Sequence, residues 1–539
     1  MTSTDLRGLT FLFSSFQPPP RRFFQGFAFV DEHYIAGQEG ALAFEAQIGA
    51  PMRPGEDGCY VVATETESGY RIGVDHVGLQ KMFYYDNGDV WCVSNSVAMI
   101  AEHLTAHGVR VSANLPQLTS HKMPHTFAMQ LSSTRTAFNE IRLAPLHCAV
   151  EIVDGHLRLV RIPRLPAAPD YTEGLRRFVS TWARRVQTML SSERVWFDVD
   201  LSGGVDSRTV FAFVRAAQNQ NPSDDIMRRI NLRSSRSEHL AEDLAAASTV
   251  AEAFEMPING PQPDRPKPPA LTGWERYEAW RRIHLGVYMP VYFPVHAPNP
   301  WHIHFHGGGG ETHRRFYAAD DPATMLARQK DYHRPKYLFE AWKQEVLGCV
   351  AELQPHEPHL NPMVLHYREF RNRFHVGLNS QYRVVCSPLN SRLLEVVTRS
   401  NSNIDSKQIL YDVMESLVPG LNRMPYDVAS KSPSVDELTA MTVVDGALDG
   451  PGKGRVFASE ETSAVARHST AKPISLMAEA FEAADRPLVV EFMGEARMST
   501  ARGVMQDAVS RGRFTRAADA NDISLALAVA HTFQLSHLG

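Results

Sequence analysis

The chain has 539 residues, 43% hydrophobic and 21% charged, the balance of an ordinary globular protein with apolar material for a large core and a length suited to two to four domains. Its 55 basic and 60 acidic residues give a formal charge of −5, which excludes a general electrostatic pull toward nucleic acid or an anionic membrane. No run of 18 apolar residues is present to span a bilayer.

The first residues, MTSTDLRGLTFLFSSF, lack the basic, apolar and small-residue succession of a secretory signal. Five cysteines (Cys59, Cys92, Cys148, Cys349 and Cys386) lie far apart with no CxxC pair. Such a set predicts reduced, buried thiols in a cytoplasmic protein.

Residues 1 to about 160 carry short β-rich runs: LTFLFS at 9–14, GCYVVAT at 58–64, YRIGVD at 70–75, MFYY at 82–85 and VWCVS at 90–94. DNGD at 86–89 and Gly/Pro clusters between the runs are hairpin turn signals. The segment RIPRLPAAPD at 161–170 has prolines that neither a helix interior nor a central strand tolerates. A domain boundary is expected there, giving domains 1–165 and 171–539. From Tyr171 onward helical patterns alternate with short apolar runs, the texture of a parallel α/β sheet. PINGPQPDRPKPPA at 257–270 is expected to be a surface loop. Beyond Gly450 helical segments mix with Gly/Ser breaks.

The most informative segment is VWFDVDLSGGVDSRTVFAFVRAAQ at 195–218. VWFDVDL is a predicted strand and the residues from Val205 a predicted helix, with Ser202, Gly203, Gly204, Asp206 and Ser207 at the turn. Glycines let backbone approach a ligand closely. Free N–H groups at a helix start, together with serine hydroxyls, suit anionic oxygens. An aspartate there would repel bare phosphates, but has a use where Mg²⁺ bridges it to them. The plainer reading is a strand-to-helix turn in which Asp and Ser only cap the helix; the complete SGGxDS between strand and helix favours the phosphate reading.

This loop resembles the SGGxDS pyrophosphate loop of the N-type ATP pyrophosphatases, and the chain around it is similar to the asparagine synthetase family. INLRSSRSEHLAEDLAAASTVAEAF at 230–254 is similar to the family's second strand and following helix, with an expected capping box of Ser235 and Glu238. WHIHFHGGGGETHRRFY at 301–317 occupies the place of its strand and G-x-G-x-D-E turn. SPLNSRLLEVV at 387–397, then Lys407 and Lys431, look like its P-F-L-D segment and two downstream lysines. The resemblance spans residues 58–432, and only SGGVDS is sharply specific. It implies ATP held by Leu201, Ser202, Gly203, Gly204, Asp206, Ser207, Leu232 and Gly307 at the carboxyl ends of a parallel sheet. It also implies Mg²⁺ on Asp206 and Glu311, with Lys407 and Lys431 neutralising charge as pyrophosphate leaves. His302, His304 and His306 share one strand face. Zinc can use such spacing, but with no cysteine nearby they are expected to pack or hydrogen-bond.

IGVDHVGLQKMFYYDNGDVWCVSNSVAMIAEHL at 72–104 is similar to the family's glutaminase domain, an Ntn-hydrolase-like αββα fold. That activity needs cysteine directly after Met1 as nucleophile and base; this chain reads Met1-Thr2-Ser3. Thr2 would overhang the first strand, so a scaffold without its nucleophile is expected.

The expected activity is therefore an ATP-dependent, AMP-forming carbon–nitrogen ligase. It would adenylate a small-molecule or peptide carboxylate and pass it to an amine without glutamine hydrolysis, in specialised metabolism. A lasso-type peptide macrolactam synthetase and a non-catalytic nucleotide-binding regulator are the alternatives. Nucleic-acid and membrane partners are not expected; the resemblance leaves room for a homodimer. The family's base does not transfer, because Gly308, Val384 and Cys386 stand at the relevant positions. His306 and His313, beside the glycines, are the candidate bases.

Overall fold

The computed structural model describes residues 6, 8–262, 264–319, 321–330, 335–378, 380–400, 406–446, 448, 452–459 and 471–536. Thr2 lies outside them. In the front half, alternation along the strands decides the layers. Strand β4 (Asp57–Thr66) buries Val61 and Ala63 on one face, and Tyr60 and Val62 on the other. A strand apolar on both faces must be covered twice.

One cover is a second antiparallel sheet. Its order is β1 (Leu12–Ser14), β7 (Trp91–Ser94), β6 (Phe83–Asp86) and β8 (Arg142–Leu143). Phe11, Phe13, Met82, Trp91 and Val93 from this side meet Val61, Ile72, Val74, Val150 and Ile152 from the other. The other cover of β4 is the helix Gly37–Ile48, which brings Ala41 and Phe44 onto Tyr60 and Val62. The larger sheet, of seven strands, has the order β10 (His156–Arg161), β9 (Cys148–Val153), β5 (Gly69–Val74), β4, β2 (Arg22–Val30), β3 (His33–Ala36) and β15 (Val456–Ala458). The edge strand β15 comes from the far end of the chain and pairs parallel to β3, Phe457 opposite Ile35.

The second half holds a four-stranded parallel sheet, ordered β12 (Ile230–Arg233), β11 (Trp196–Asp200), β13 (His302–Phe305) and β14 (Val384–Cys386). Among the described residues the protein is thus mixed α/β, with two sheets antiparallel apart from the β3–β15 edge and one four-strand parallel sheet. Phe197, Val199, Ile303 and Phe305 join a core with the helices Tyr171–Leu190, Val205–Gln220 and Gln408–Leu417. Asp170 accepts a hydrogen bond from Glu173 N at 2.8 Å and so caps the first of these. The expected capping box at 235–238 does not form. The chain enters a short 3-10 turn, Glu238–Leu240, before the helix Ala241–Ala253, and Ser235 Oγ accepts from Ser237 N instead.

The last segment is helical: Pro473–Ala484, Glu495–Arg511 and Asn521–Leu535 pack on one another. They also pack on Val97–Ala106 of the front half and Gly273–His284 of the second half. The proline-rich stretch 161–170 separates two halves in sequence, but the packing crosses it in both directions. Among the described residues no helix is long and apolar enough to cross a membrane.

Candidate functional site at the carboxyl ends of the parallel strands

β11 and β13 run side by side, Val199 opposite Phe305, so the segments that follow them emerge together. After β11 comes Ser202-Gly203-Gly204 and the helix start at Val205; after β13 come the glycines 307–310 and Glu311. Gly307 lies so close to the helix start that a Cβ there would sit 2.6 Å from Ser207 N. A Cβ on Gly310 would collide with the Asp206 carboxylate. At 307 a side chain would push the two segments apart; at 310 it would displace the Asp206 carboxylate. The turn itself is tied by serines: Ser207 Oγ accepts from Ser202 N at 3.0 Å and lies 2.7 Å from Ser202 Oγ, which accepts from Gly204 N at 3.1 Å.

The structure brings Asp206 and Glu311 together through one cation, Arg314. Its guanidinium donates to both Asp206 oxygens at 2.8 and 2.7 Å and lies 3.5 Å from Glu311 Oε1. Tyr367 OH donates to Glu311 Oε2 at 3.3 Å from a π-helical turn, Tyr367–Asn372. Burial, with the neighbouring Asp206 charge, raises the Glu311 pKa against the pull of Arg314. Two carboxylates sharing one cation suit a hard divalent ion in donor type and charge. Magnesium would have to take the place of the guanidinium.

The two lysines reach the site from the segment 407–431. Lys431 Nζ donates to Asp427 Oδ2 at 2.5 Å, and a Cβ on Gly203 would clash with Asp427. Lys407 Nζ donates to Ser430 O at 3.2 Å; burial and the positive charge of Arg314 lower its pKa. Arg208 anchors this segment through Met424 O at 3.0 Å and Pro425 O at 2.6 Å. Leu201 and Leu232 are buried in the core, where Leu201 N donates to Arg233 O at 2.8 Å and Leu232 O accepts from Asn259 N at 2.7 Å.

Sequence reasoning passed over Arg314, Tyr367, Asp427 and Asp243. The Asp243 carboxylate accepts the Gly203 N–H at 2.9 Å. The signals for two of them were short spacings, Arg314 three residues after Glu311 and Asp427 four before Lys431; Tyr367 and Asp243 left none.

The candidate bases are held neutral. His306 Nδ1 accepts from Gly308 N at 2.8 Å, and burial pulls its pKa down to about 4. That bond puts the proton on Nε2, so this ring has no free lone pair to act as a base. His313 Nε2 lies 3.0 Å from Leu389 O, and burial brings its pKa down to about 3. Cys59 is buried in β4, where burial raises its thiol pKa well above the usual range. It is not an exposed nucleophile. All five cysteines are free and buried.

Between the halves lies a second titratable cluster, in which ligand atoms of His76, His147 and Glu395 fall within 4.8 Å of one another. His76 Nε2 is 2.8 Å from Glu395 Oε2, while Arg164 and Arg399 stand 3.8 and 3.7 Å from Glu395 Oε1. The arginines already balance the carboxylate, which makes the cluster an ion-pair joint.

No protein-family model matches the chain, and no curated protein matches it at a significant level.

Proposed function

We propose that the chain is an ATP-dependent, AMP-forming ligase that joins a carboxylate to an amine. On this reading the second half is a parallel-sheet ATP pyrophosphatase domain of the asparagine synthetase type. The front half, two antiparallel sheets between helices, is an Ntn-type glutaminase scaffold without its nucleophile, in a cytoplasmic enzyme. The observation that carries the reading is the convergence of the SGGVDS turn and Glu311 at the carboxyl ends of adjacent parallel strands. Glycines stand where a Cβ would keep the segments apart.

The chemistry follows from charge. Asp206 and Glu311 would hold Mg²⁺, which supplies charge neutralisation on the phosphates. The Gly203 and Gly204 amides would donate to phosphate oxygens once Asp243 and Ser202 yield them. A carboxylate oxygen attacks the α-phosphorus and pyrophosphate departs. Lys407 and Lys431 would meet the departing charge. The amine then displaces AMP from the acyl group, and its proton must leave through a base other than His306. Lasso-type macrolactam formation is a narrower form of the same chemistry.

One observation favours a different class. Arg314 occupies both acids and Asp427 occupies Lys431, the arrangement of a site that binds nucleotide without turning it over. ATP–pyrophosphate exchange separates the two. A ligase exchanges with its acid present and loses exchange by at least about 100-fold in Asp206→Ala, with circular dichroism unchanged. Exchange in Asp206→Ala at the wild-type rate would defeat the assignment.

A further inference from the structure

Parallel sheets are ordinarily apolar on both faces. This one is not. Along β11, β12 and β13 the buried residues alternate with Asp198, Asp200, Asn231, Arg233, His302 and His304. The polar face opens onto a cavity of about 470 Å³, bounded by residues 265–268 of the proline-rich stretch and by the segment 292–299. That volume falls in the range of small-molecule sites, roughly 300–1,000 Å³.

The charges of the cavity wall are one-sided. Arg233, Arg265, Lys267 and Arg383 line it, against the single carboxylate of Asp198. Asp198 is spoken for: Arg265 donates to its two oxygens at 2.6 and 2.9 Å, Asn231 Nδ2 donates at 2.9 Å, and Arg233 lies 3.4 Å away. Among the described residues neither Lys267 nor Arg383 forms an ion pair. Arg383 is instead positioned by a neutral group, donating to Tyr292 OH at 2.7 Å.

Part of the remaining wall is aromatic and apolar, and Gln262, His296, Asn299, His302 and His304 make up the rest with uncharged polar groups and imidazoles. Tyr292 and Tyr382 stack at 6.0 Å with 27° between planes, beside Pro266, Pro268, Pro294 and Val295. The Tyr382 hydroxyl is buried and, among the described residues, has no hydrogen-bond partner. Stacked rings and prolines suit a planar or aliphatic body, and unpaired cations suit an acid group. Arg233, in the cavity wall, accepts at its backbone oxygen from Leu201 N at 2.8 Å, and Leu201 directly precedes Ser202.

We propose that this cavity is a binding site for an organic acid with a planar apolar body, its anionic group held between Arg383 and Lys267. The ligand class rests on the cavity alone. Only the further step, that this acid is the one activated at the loop, rests on the ligase reading.

The test is ligand-observed NMR and calorimetry with benzoate and naphthoate as probes, benzamide as the neutral counterpart and benzylamine as the cationic one, on the full chain. The carboxylates bind at least tenfold tighter than benzamide, and benzylamine does not bind. Arg383→Gln and Lys267→Met, with unchanged melting temperatures, each weaken naphthoate at least fivefold. Carboxylates binding no better than benzamide, or naphthoate binding indifferent to both substitutions, would overturn the proposal. Asp206→Ala separates this from the nucleotide reading. Naphthoate binding survives that substitution whether or not pyrophosphate exchange occurs, and its loss in Asp206→Ala also counts against the cavity.

Discussion

Arg314 covers both carboxylate oxygens of Asp206, at 2.8 and 2.7 Å, and lies 3.5 Å from Glu311. A divalent ion and this guanidinium compete for the same oxygens. Removing the guanidinium should therefore strengthen metal binding in the absence of nucleotide. Arg314→Ala is expected to tighten Mn²⁺, followed by electron paramagnetic resonance, by about tenfold, equivalent to about 1.4 kcal/mol of lost competition. An unchanged Mn²⁺ affinity would mean that the two acids are not the metal's ligands.

Close approach at the glycines makes a second expectation. A methyl at 307 meets the Ser207 amide, and a methyl at 310 meets the Asp206 carboxylate. Gly307→Ala and Gly310→Ala should each lower pyrophosphate exchange by about 100-fold, the cost of displacing reacting groups by about 1 Å. Gly348→Ala, in a helix and with open space around its Cβ, is the control and should exchange normally.

The halves are fastened by a buried carboxylate. Asp57 accepts from Arg185 Nη1 at 2.6 Å, Ser391 Oγ at 2.7 Å and Arg392 N at 2.7 Å. Burial pushes its pKa up, yet Arg185, Arg392 and His76 pull it below the usual aspartate value. Asp57→Ala leaves Arg185 buried and unpaired, and should cost about 3–5 kcal/mol in denaturant unfolding. A loss under about 1 kcal/mol would show that the joint contributes little.

Acid should weaken the fold in a defined window. Burial lowers the pKa of His306 and His375 to about 4 and of His313 and His366 to about 3. Unfolded, these imidazoles take up protons near pH 6.5, so their contribution is complete above that pH. It is lost as pH falls toward 4 and 3, on the order of 1 kcal/mol per group per pH unit. Melting temperatures should fall steadily from pH 6.5 to 4; a flat profile would mean that these rings are solvated.

Much of this was written in the residues. The strands at 58–64, 70–75, 82–85 and 90–94 appear nearly where the β-rich runs and the turn residues between them put them. The turn at 202–207 was legible from composition, since few residue sets tolerate a strand entering a helix so tightly. The polar face of the parallel sheet was also on the page, as FDVD, INLR and HIHF. Only the histidines stand out within one strand, because a single strand does not reveal what its neighbours place beside it. Arg314 on Asp206, Asp243 on Gly203 and Asp57 under Arg392 bring together residues 40 to 335 positions apart. Local pattern carries no information about such pairings. The capping box failed for the opposite reason, a motif correct in letters but overruled by a 3-10 turn.

Strand β15 has a consequence for synthesis. The hydrogen-bonding edge of β3 is complete only when Val456–Ala458 arrives, some 420 residues later. A ribosome adding roughly 5–20 residues per second leaves that edge bare for about 20–80 seconds, open to pairing with another nascent copy. Truncations ending before residue 456 should therefore aggregate, even though they retain every other strand of the front half.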